Sequence, residues 1–140
     1  MKVREAMAKT IRTAVPTDTI GAVARMMKEE DCGFIPVLDG TKLVGVVTDR
    51  DLVIRCLASA EPDIPGIRVA DVMSSSVWTI DADASVEEAA HVMAEHEVRR
   101  LPAVSGGRLV GILSYGNLEQ AVHAMGEAAE EATLGVTRGA

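Results

Sequence analysis

An internal duplication constrains the fold of this chain more than any other feature. Shifting the sequence by 66 residues aligns 3–53 with 69–119 without a gap, and 12 of the 51 aligned pairs are identical. The identical pairs fall on core and turn positions: Val3/Val69, Met7/Met73, Thr13/Thr79, Ala24/Ala90, Met27/Met93, Glu29/Glu95, Pro36/Pro102, Gly40/Gly106, Leu43/Leu109, Val44/Val110, Gly45/Gly111 and Leu52/Leu118. The pattern predicts two copies of one supersecondary unit, each of which needs the other to bury its apolar surface.

Each copy is predicted to run from a short helix through a brief strand into a longer helix. The short helices fall around residues 3–8 and 69–74, and the strands at Thr10–Thr13 and Val77–Ile80. The longer helix is indicated by apolar residues at i, i+3, i+4 and i+7. These residues are Ile20, Val23, Ala24 and Met27 in the first copy and Val86, Ala89, Ala90 and Met93 in the second. Ser85 with Glu88 also forms a capping-box pattern.

Two apolar runs joined by a short glycine-containing loop follow in each copy, which predicts a β-hairpin. The runs are Phe34–Leu38 with Leu43–Val47, and Leu101–Val104 with Leu109–Leu113. A last helix is predicted to begin near Asp49 in the first copy. In the second copy it begins near Tyr115 and continues toward Glu131.

The element order β-α-β-β-α in each copy predicts an α+β fold. A unit of about 55 residues is marginally stable alone, so the two units are expected to pack pseudo-symmetrically into one compact pair. Residues 1–60 form the first unit and 68–128 the second, joined by a short stiff linker at 61–67 that holds Pro62 and Pro65. Residues 129–140 are predicted to be a mobile tail, because they lack a core pattern.

Charge and cysteine content exclude several classes of function. The net charge of −7 and the pI near 4.9 argue against a nucleic-acid partner, which requires a basic face. The two cysteines have neither disulfide-framework nor zinc spacing, so reduced thiols and no metal site are expected. The start lacks an apolar signal-peptide core, and no apolar run could span a bilayer, so a cytoplasmic protein without a membrane partner is predicted. Because no catalytic set with recognisable spacing is present, the chain is not expected to be an enzyme.

The order, the duplication and the motifs together resemble a known family. The resemblance rests on Met7, Met73 and the stretches "CGFIPVLDGTKLVGVVTDRDLV" and "VRRLPAVSGGRLVGILSYGNLE". Proline in the first hairpin strand, a glycine turn and then G-h-h-[ST]-x-x-[DN] are specific when they occur twice at a fixed spacing. Over about residues 3–125 the chain is similar to a tandem pair of cystathionine-β-synthase (CBS) domains, or Bateman module. Its layout resembles the small stand-alone bacterial CBS proteins, including the hypoxic-response type.

The resemblance implies a regulatory rather than a catalytic function. Such pairs bind AMP, ADP, ATP or S-adenosylmethionine in clefts between the units, form homodimers and carry no covalent cofactor. A change in packing on binding would be read by an effector protein, which the sequence does not name. The alternative is a ligand-blind dimerisation module, in which the motifs remain only as helix caps and hairpins.

Thr48 and Asp51 are the first candidate site residues, with two compatible interpretations. Thr-x-x-Asp before an apolar run is typical of a capping box. The family resemblance implies that the same two residues contact phosphate and ribose. Further candidates for this ligand site are Thr13, Ile35, Pro36, Arg50, Arg99 and Arg100.

Some of these further candidates also have a structural alternative. The three arginines are candidate phosphate contacts, and surface ion pairs are the alternative for Arg99 and Arg100. Pro36 and Pro102 cannot donate to a ladder, so their strands are expected to begin or lie at a sheet edge. The neighbouring Ile35 and Leu101 are then candidate walls of the ligand cleft.

A weaker second site is predicted from the equivalent positions of the second copy. Its candidates are Trp78, Thr79, Leu101, Pro102, Ser114 and Asn117. Trp78 is expected either to stack on adenine or to fill the core. Ser114 keeps the hydroxyl, whereas Asn117 offers one acceptor oxygen and no charge where Asp51 offers a carboxylate. The site completed by Asp51 is therefore predicted to be the stronger one.

Overall fold

Helices and strands alternate as the repeat pattern predicts. The computed structural model describes residues 1–59 and 63–139, with side chains described for 1–59 and 63–127. The helices are α1 (Val3–Ala6), α2 (Ile20–Glu30), α3 (Asp49–Asp51), α4 (Val69–Val72), α5 (Val86–His96) and α6 (Tyr115–Gly139). The strands are β1 (Phe34–Asp39), β2 (Lys42–Thr48), β3 (Ile80–Asp81), β4 (Arg100–Ser105) and β5 (Arg108–Ser114). A π-helical turn, Leu52–Leu57, directly extends α3, and a 3₁₀ turn, Ile64–Gly66, precedes α4. The predicted α+β class is confirmed.

The longer helices α2 and α5 form where the apolar stripes predict them. Each begins at a hydroxyl cap: Thr19 Oγ1 accepts from the Ala22 N–H, and Ser85 Oγ accepts from the Glu88 N–H, both at 3.1 Å. The buried residues are Ile20, Val23 and Met27 in α2, and Val86, Ala89 and Met93 in α5. Both helices therefore bury the faces that their spacing indicates, except that Ala24 is exposed and Ala90 is only half-buried.

The two hairpins are also confirmed, with strands slightly longer than the apolar runs. β1 pairs antiparallel with β2, and β4 neighbours β5 in the second sheet. The turn glycines have positive φ, at 63° for Gly40, 58° for Gly106 and 79° for Gly107. Glycine adopts this backbone region without steric cost, which explains these residues at tight hairpin turns.

The predicted brief strands are shorter than expected and lie further along the chain. In the first copy only Ala14 pairs, in parallel with Val37, and no strand forms over Thr10–Thr13. In the second copy β3 begins at Ile80 and pairs in parallel with β4. Ala14 and Ile80 are both buried, so pairing begins where the chain enters a core.

The expectation that the proline strands lie at sheet edges is wrong for β4, whereas β1 is an edge strand of a two-stranded sheet with one isolated bridge on its outer side. β4, which contains Pro102, is the middle strand of the order β3-β4-β5, and β1, which contains Pro36, carries Ala14 on its outer side. The Pro36 carbonyl accepts from the Ala14 N–H at 2.9 Å, and the Leu38 N–H donates to the Ala14 carbonyl at 2.8 Å. The ladder thus uses the N–H of Leu38 and needs none from the proline.

The compact units do not coincide with the sequence repeats. The first-repeat unit comprises Thr10–Val77 and Gly106–Leu109, and the second-repeat unit comprises Met1–Lys9, Trp78–Ser105 and the chain from Val110 onward. Val3 and Met7 belong to the core of the second-repeat unit, and Val69 and Val72 to the core of the first-repeat unit. The division into 1–60 and 68–128 follows the repeats and stays a prediction. Within the predicted linker 61–67, Pro62 lies outside the described residues.

Polar contacts hold α1 in the second-repeat unit. Arg4 pairs with Asp83, with 3.3 Å between Nε and Oδ1, and its Nη2 donates to Ser105 Oγ at 3.2 Å. Hydrogen bonding from Arg4, and then its charge and that of Lys2, lower the pKa of the exposed Asp83 carboxyl. The backbone N–H of Val3 also donates to the Ala84 carbonyl at 2.8 Å.

The C-terminal helix extends further than its prediction toward Glu131, while the mobility of residues 129–140 stays a prediction. α6 continues from Tyr115 to Gly139, so residues 129–139 are helical. The stretch Glu127–Ala132 contains only alanine and glutamate, both strong helix formers, which accounts for the continuation. Residue 140 lies outside the described residues.

Gly45 and its repeat counterpart Gly111 are expected to tolerate no side chain. A Cβ on Gly45 would lie 2.8 Å from the Ser74 carbonyl oxygen and 2.9 Å from Met73 Sδ. We expect Gly45→Ala to lower the free energy of unfolding by about 1–3 kcal/mol, because backbone must shift to admit the methyl group. Urea unfolding measures the change. Gly126→Ala, in open space on α6, is the matched control and should be neutral or stabilising; equal effects of both variants would contradict the packing argument.

Candidate functional site

The candidate site centres on the carboxylate of Asp51, where β2 ends and α3 begins. Among the residues whose side chains are described, Asp51 is the one charged residue that is buried, with 8% of its surface exposed. Thr48 Oγ1 accepts from the Asp51 N–H at 3.1 Å, and Asp51 Oδ2 accepts from the Thr48 N–H at 3.0 Å. The predicted capping box is thus confirmed. Because its rotamer is held by this reciprocal bond, the carboxylate has a defined direction.

The second carboxylate oxygen of Asp51 faces a different part of the first-repeat unit. Ser74 Oγ donates to Asp51 Oδ1 at 3.4 Å, and Arg55 Nε lies 3.7 Å from the same oxygen. Arg55 Nη1 also donates to the carbonyls of Val72 and Met73, at 3.2 and 3.1 Å. These contacts connect the carboxylate to the end of α4.

Sequence reasoning missed both Arg55 and Ser74. Arg55 stands four residues after Asp51, and an i, i+4 pair of opposite charges on a helix is a signal that could have found it. No local pattern indicates Ser74, which is 23 residues from Asp51 in sequence. It comes near only because Ser74 pairs with Val46 of β2, through N–H to carbonyl bonds of 2.9 and 2.8 Å.

The corresponding corner of the second-repeat unit keeps the cap and lacks the charges. Ser114 Oγ accepts from the Asn117 N–H, and Asn117 Oδ1 accepts from the Ser114 N–H, both at 3.1 Å. Positions 66 residues away from Arg55 and Ser74 are Ala121 and Ala8, and Ala8 pairs with Ile112 as Ser74 does with Val46. The geometry is therefore repeated, but an amide and two methyl groups replace a carboxylate, a guanidinium and a hydroxyl.

The other predicted residues of the first site differ in whether their side chains are exposed or buried. Arg50 is exposed on the first turn of α3, beside Thr48 and Asp51, and Thr13 is half-buried just before the bridge at Ala14. Ile35 and Pro36 are buried in the first-repeat unit. Leu101 and Pro102 are likewise buried in the second-repeat unit. Within each unit these four side chains serve the core, so a ligand can meet only their backbone.

The basic and aromatic candidates of the second-repeat unit already have partners. The Arg99 guanidinium carbon lies 5.0 Å from the ring centroid of Tyr115, and Arg100, also exposed, begins β4. Trp78, next to the exposed Thr79, stacks on His96 with 3.5 Å between ring centroids and 9° between planes. Trp78 is 50% exposed, so it does not fill the core, and the face against His96 is not open to adenine.

Metal and membrane features can be assessed over the described part of the chain. There, no group of three or more His, Cys, Asp or Glu side chains is arranged to hold a metal ion. None of the helices in that part combines the length and the apolar character required to cross a membrane.

Comparison with known proteins identifies the family. The CBS domain model matches residues 3–57 and 69–124, which is most of the chain. The chain therefore belongs to the CBS domain family. Its two domains make it a CBS-pair regulatory protein.

The relatives include stand-alone CBS proteins. A Bacillus subtilis protein, YlbB, is 35% identical over 98% of this chain and 95% of its own length. Hypoxic response protein 1 of Mycobacterium tuberculosis is 42% identical over 69% of this chain and 68% of its own. A crystal structure of hypoxic response protein 1 with two coordinated zinc ions has a TM-score of 0.76 and 35% identity, covering 86% of this chain and 98% of that one. A CBSX2 complex with AMP has a TM-score of 0.77 and 26% identity, covering 88% and 97%.

The cap function of Thr48 predicts a loss of stability when its hydroxyl is removed. We expect Thr48→Ala to lower the free energy of unfolding by about 1 kcal/mol, because the Asp51 N–H loses its acceptor. Urea unfolding with a tryptophan or circular-dichroism signal measures this. Thr48→Ser keeps the hydroxyl and is the control, and Ser114→Ala tests the equivalent cap of α6. A Thr48→Ala protein as stable as the parent would show that the cap contributes nothing.

Proposed function

We propose that this protein senses an adenosine-containing ligand, of the type AMP, ADP, ATP or S-adenosylmethionine, and signals its binding to a partner protein. The ligand contacts in the first-repeat unit are Thr48 and Asp51 with the exposed Arg50, and the backbone of Thr13, Ile35 and Pro36. Arg99 and Arg100 are proposed as further phosphate contacts. The CBSX2 complex with AMP, at 26% identity, supports this ligand class.

The buried carboxylate of Asp51 is the observation that carries the proposal. Burying a charge is costly unless hydrogen bonds and an opposite charge compensate it, as Thr48, Ser74 and Arg55 do here. A helix cap alone does not require a carboxylate, because Asn117 caps α6 with an amide. A carboxylate has about four lone-pair positions. The hydrogen bonds from the Thr48 N–H and the Ser74 hydroxyl use two of them, which leaves two for adjacent ribose hydroxyls.

The second-repeat site is proposed to be weaker or empty. Asn117 carries no charge of its own, and the positions equivalent to Ser74 and Arg55 are Ala8 and Ala121. Hydrogen bonds to a charged group typically contribute about 1.5–3 kcal/mol, against about 0.5–1.5 for neutral ones. The proposed contacts there are Ser114 and Asn117, with Thr79 and the backbone of Leu101 and Pro102. Trp78 has one ring face stacked on His96, so only its opposite face is available to adenine.

A ligand-blind dimerisation module is the second candidate function, and an exposed apolar patch favours it. Val53, Ile54, Leu57 and Ile64 are 54%, 51%, 57% and 40% exposed. Of these, Leu57 and Ile64 line a hollow of about 140 Å³, together with Ile20 and Cys56. Apolar patches of this kind mark association surfaces, so we propose a homodimer under either function.

Ligand screening separates the two candidate functions. With AMP, ADP, ATP and S-adenosylmethionine each at 100 times Kd, binding adds about 2.7 kcal/mol of stability, which corresponds to a rise in Tm of roughly 8 °C. Differential scanning fluorimetry measures the rise. GMP is the control for the base, and a chain that no adenosine ligand stabilises would be the ligand-blind module.

Asp51→Asn converts the first-repeat carboxylate to the second-repeat amide. We expect it to weaken ligand binding about tenfold, because charge-assisted hydrogen bonds become neutral ones. Isothermal titration calorimetry measures Kd and stoichiometry, with Asn117→Ala as the matched control that should leave the strong site unchanged. Two sites of equal affinity in the parent, or an unchanged Kd in Asp51→Asn, would refute the assignment of the strong site to Asp51.

A further inference from the structure

Arg55 contacts both the Asp51 carboxylate and the end of α4 in the first-repeat unit. Its guanidinium reaches three oxygen atoms: Asp51 Oδ1, and the carbonyls of Val72 and Met73. The carbonyl contacts lie at the end of α4, where helix carbonyls have no intrahelical partner. Its side chain is half exposed, so it is not part of the core. Arg55 therefore joins the candidate ligand carboxylate to the chain segment 72–74.

Segment 72–74 is also part of the sheet of this unit. Ser74 exchanges two backbone hydrogen bonds with Val46, and its hydroxyl donates to Asp51. Val46 lies two residues before Thr48, whose N–H bonds the same carboxylate. The carboxylate, the guanidinium and the edge of β2 thus form one closed set of contacts.

The second repeat provides an internal comparison in which these side-chain contacts do not exist. Ala8 keeps the backbone pairing with Ile112, through bonds of 2.9 and 3.0 Å, and Ala121 is buried. Backbone pairing of the edge segment therefore does not require an arginine or a serine at these positions. Their presence in the first repeat accompanies the carboxylate, which points to a role connected with Asp51.

We propose that Arg55, assisted by Ser74, is a positioning residue that fixes the Asp51 carboxylate relative to the end of α4. The role in ligand affinity rests on the proposed function. A preorganised carboxylate binds more tightly because less ordering is needed on binding. Ligand contact with Asp51 would in turn restrict segment 72–74, so binding at the carboxylate is transmitted to α4.

Residue-resolved amide exchange by NMR on the full chain tests the link without any ligand. We expect Arg55→Met to accelerate exchange of the Val46 and Ser74 amides about tenfold, while the overall fold persists because Arg55 is half exposed. Arg55→Lys should restore only part of the protection, since one ammonium cannot reproduce the planar multidentate contacts. Lys28→Met, at an exposed basic residue of α2, is the matched control. Unchanged exchange in Arg55→Met would overturn the proposal.

Calorimetric titration with AMP, ADP, ATP and S-adenosylmethionine tests the effect on affinity. We expect Kd to rise about tenfold in Arg55→Met and about threefold in Ser74→Ala, with Ser74→Thr restoring affinity. Bound ligand should slow exchange at Val46 and Ser74 in the parent but not in Arg55→Met. Parent-like affinity in both Arg55→Met and Ser74→Ala would overturn the positioning role. A parent chain that binds none of the four ligands would refute the proposed function, and the exchange measurement would still decide whether Arg55 links Asp51 to α4.

Discussion

The backbone pairing of Ser74 with Val46, and of Ala8 with Ile112, is the constraint on which the rest of the structure depends. The outer edges of β2 and β5 need partners for their N–H and carbonyl groups, and the segments after α4 and α1 supply them. The pairing places α1 in the second-repeat unit and α4 in the first-repeat unit, with their valines in the cores. It also forbids a side chain at Gly45 and Gly111, and it brings Ser74 beside Asp51.

On this common frame the two repeats have acquired different chemistry. The helix start after each hairpin shows the difference. The first repeat has Asp51, Arg55 and Ser74 there, and the equivalent residues of the second repeat are Asn117, Ala121 and Ala8. Another equivalent pair of positions shows an ion pair between Arg12 and Glu30 in one repeat and the Trp78–His96 stack in the other. The backbone structure is the same in both repeats because it depends on hydrogen bonds between backbone N–H and carbonyl groups. The side chains at these positions do not take part in that pairing and therefore differ between the repeats. That division agrees with the proposal that the two sites of this CBS pair differ in strength.

Sequence patterns succeeded where the determining contacts are local. The stripes of α2 and α5, the glycine turns and the caps at Thr48 and Ser114 depend on residues at most four positions apart, so spacing is enough to predict them. The prediction of an edge strand failed for Pro102, because its strand β4 lies between β3 and β5, a pairing that joins residues far apart in sequence. The prediction of the first site grouped Thr48, Arg50 and Asp51 at one helix start, which local spacing is enough to do. It also named Ile35 as a wall of the ligand cleft, because the sequence does not show that the Ile35 side chain is buried.

By itself the sequence determined the duplication, the element order, the caps and the replacement of Asp51 by Asn117, since all of these are properties of residue type and short spacing. Only the tertiary structure decided which short helix completes which unit, because edge pairing joins residues such as Val46 and Ser74 that no periodicity relates. The same long-range pairing decided that Asp51 is buried and held by Ser74, and it set the end of α4 within reach of Arg55. A carboxylate that local spacing explains as a cap is, in three dimensions, the meeting point of β2, α3 and α4.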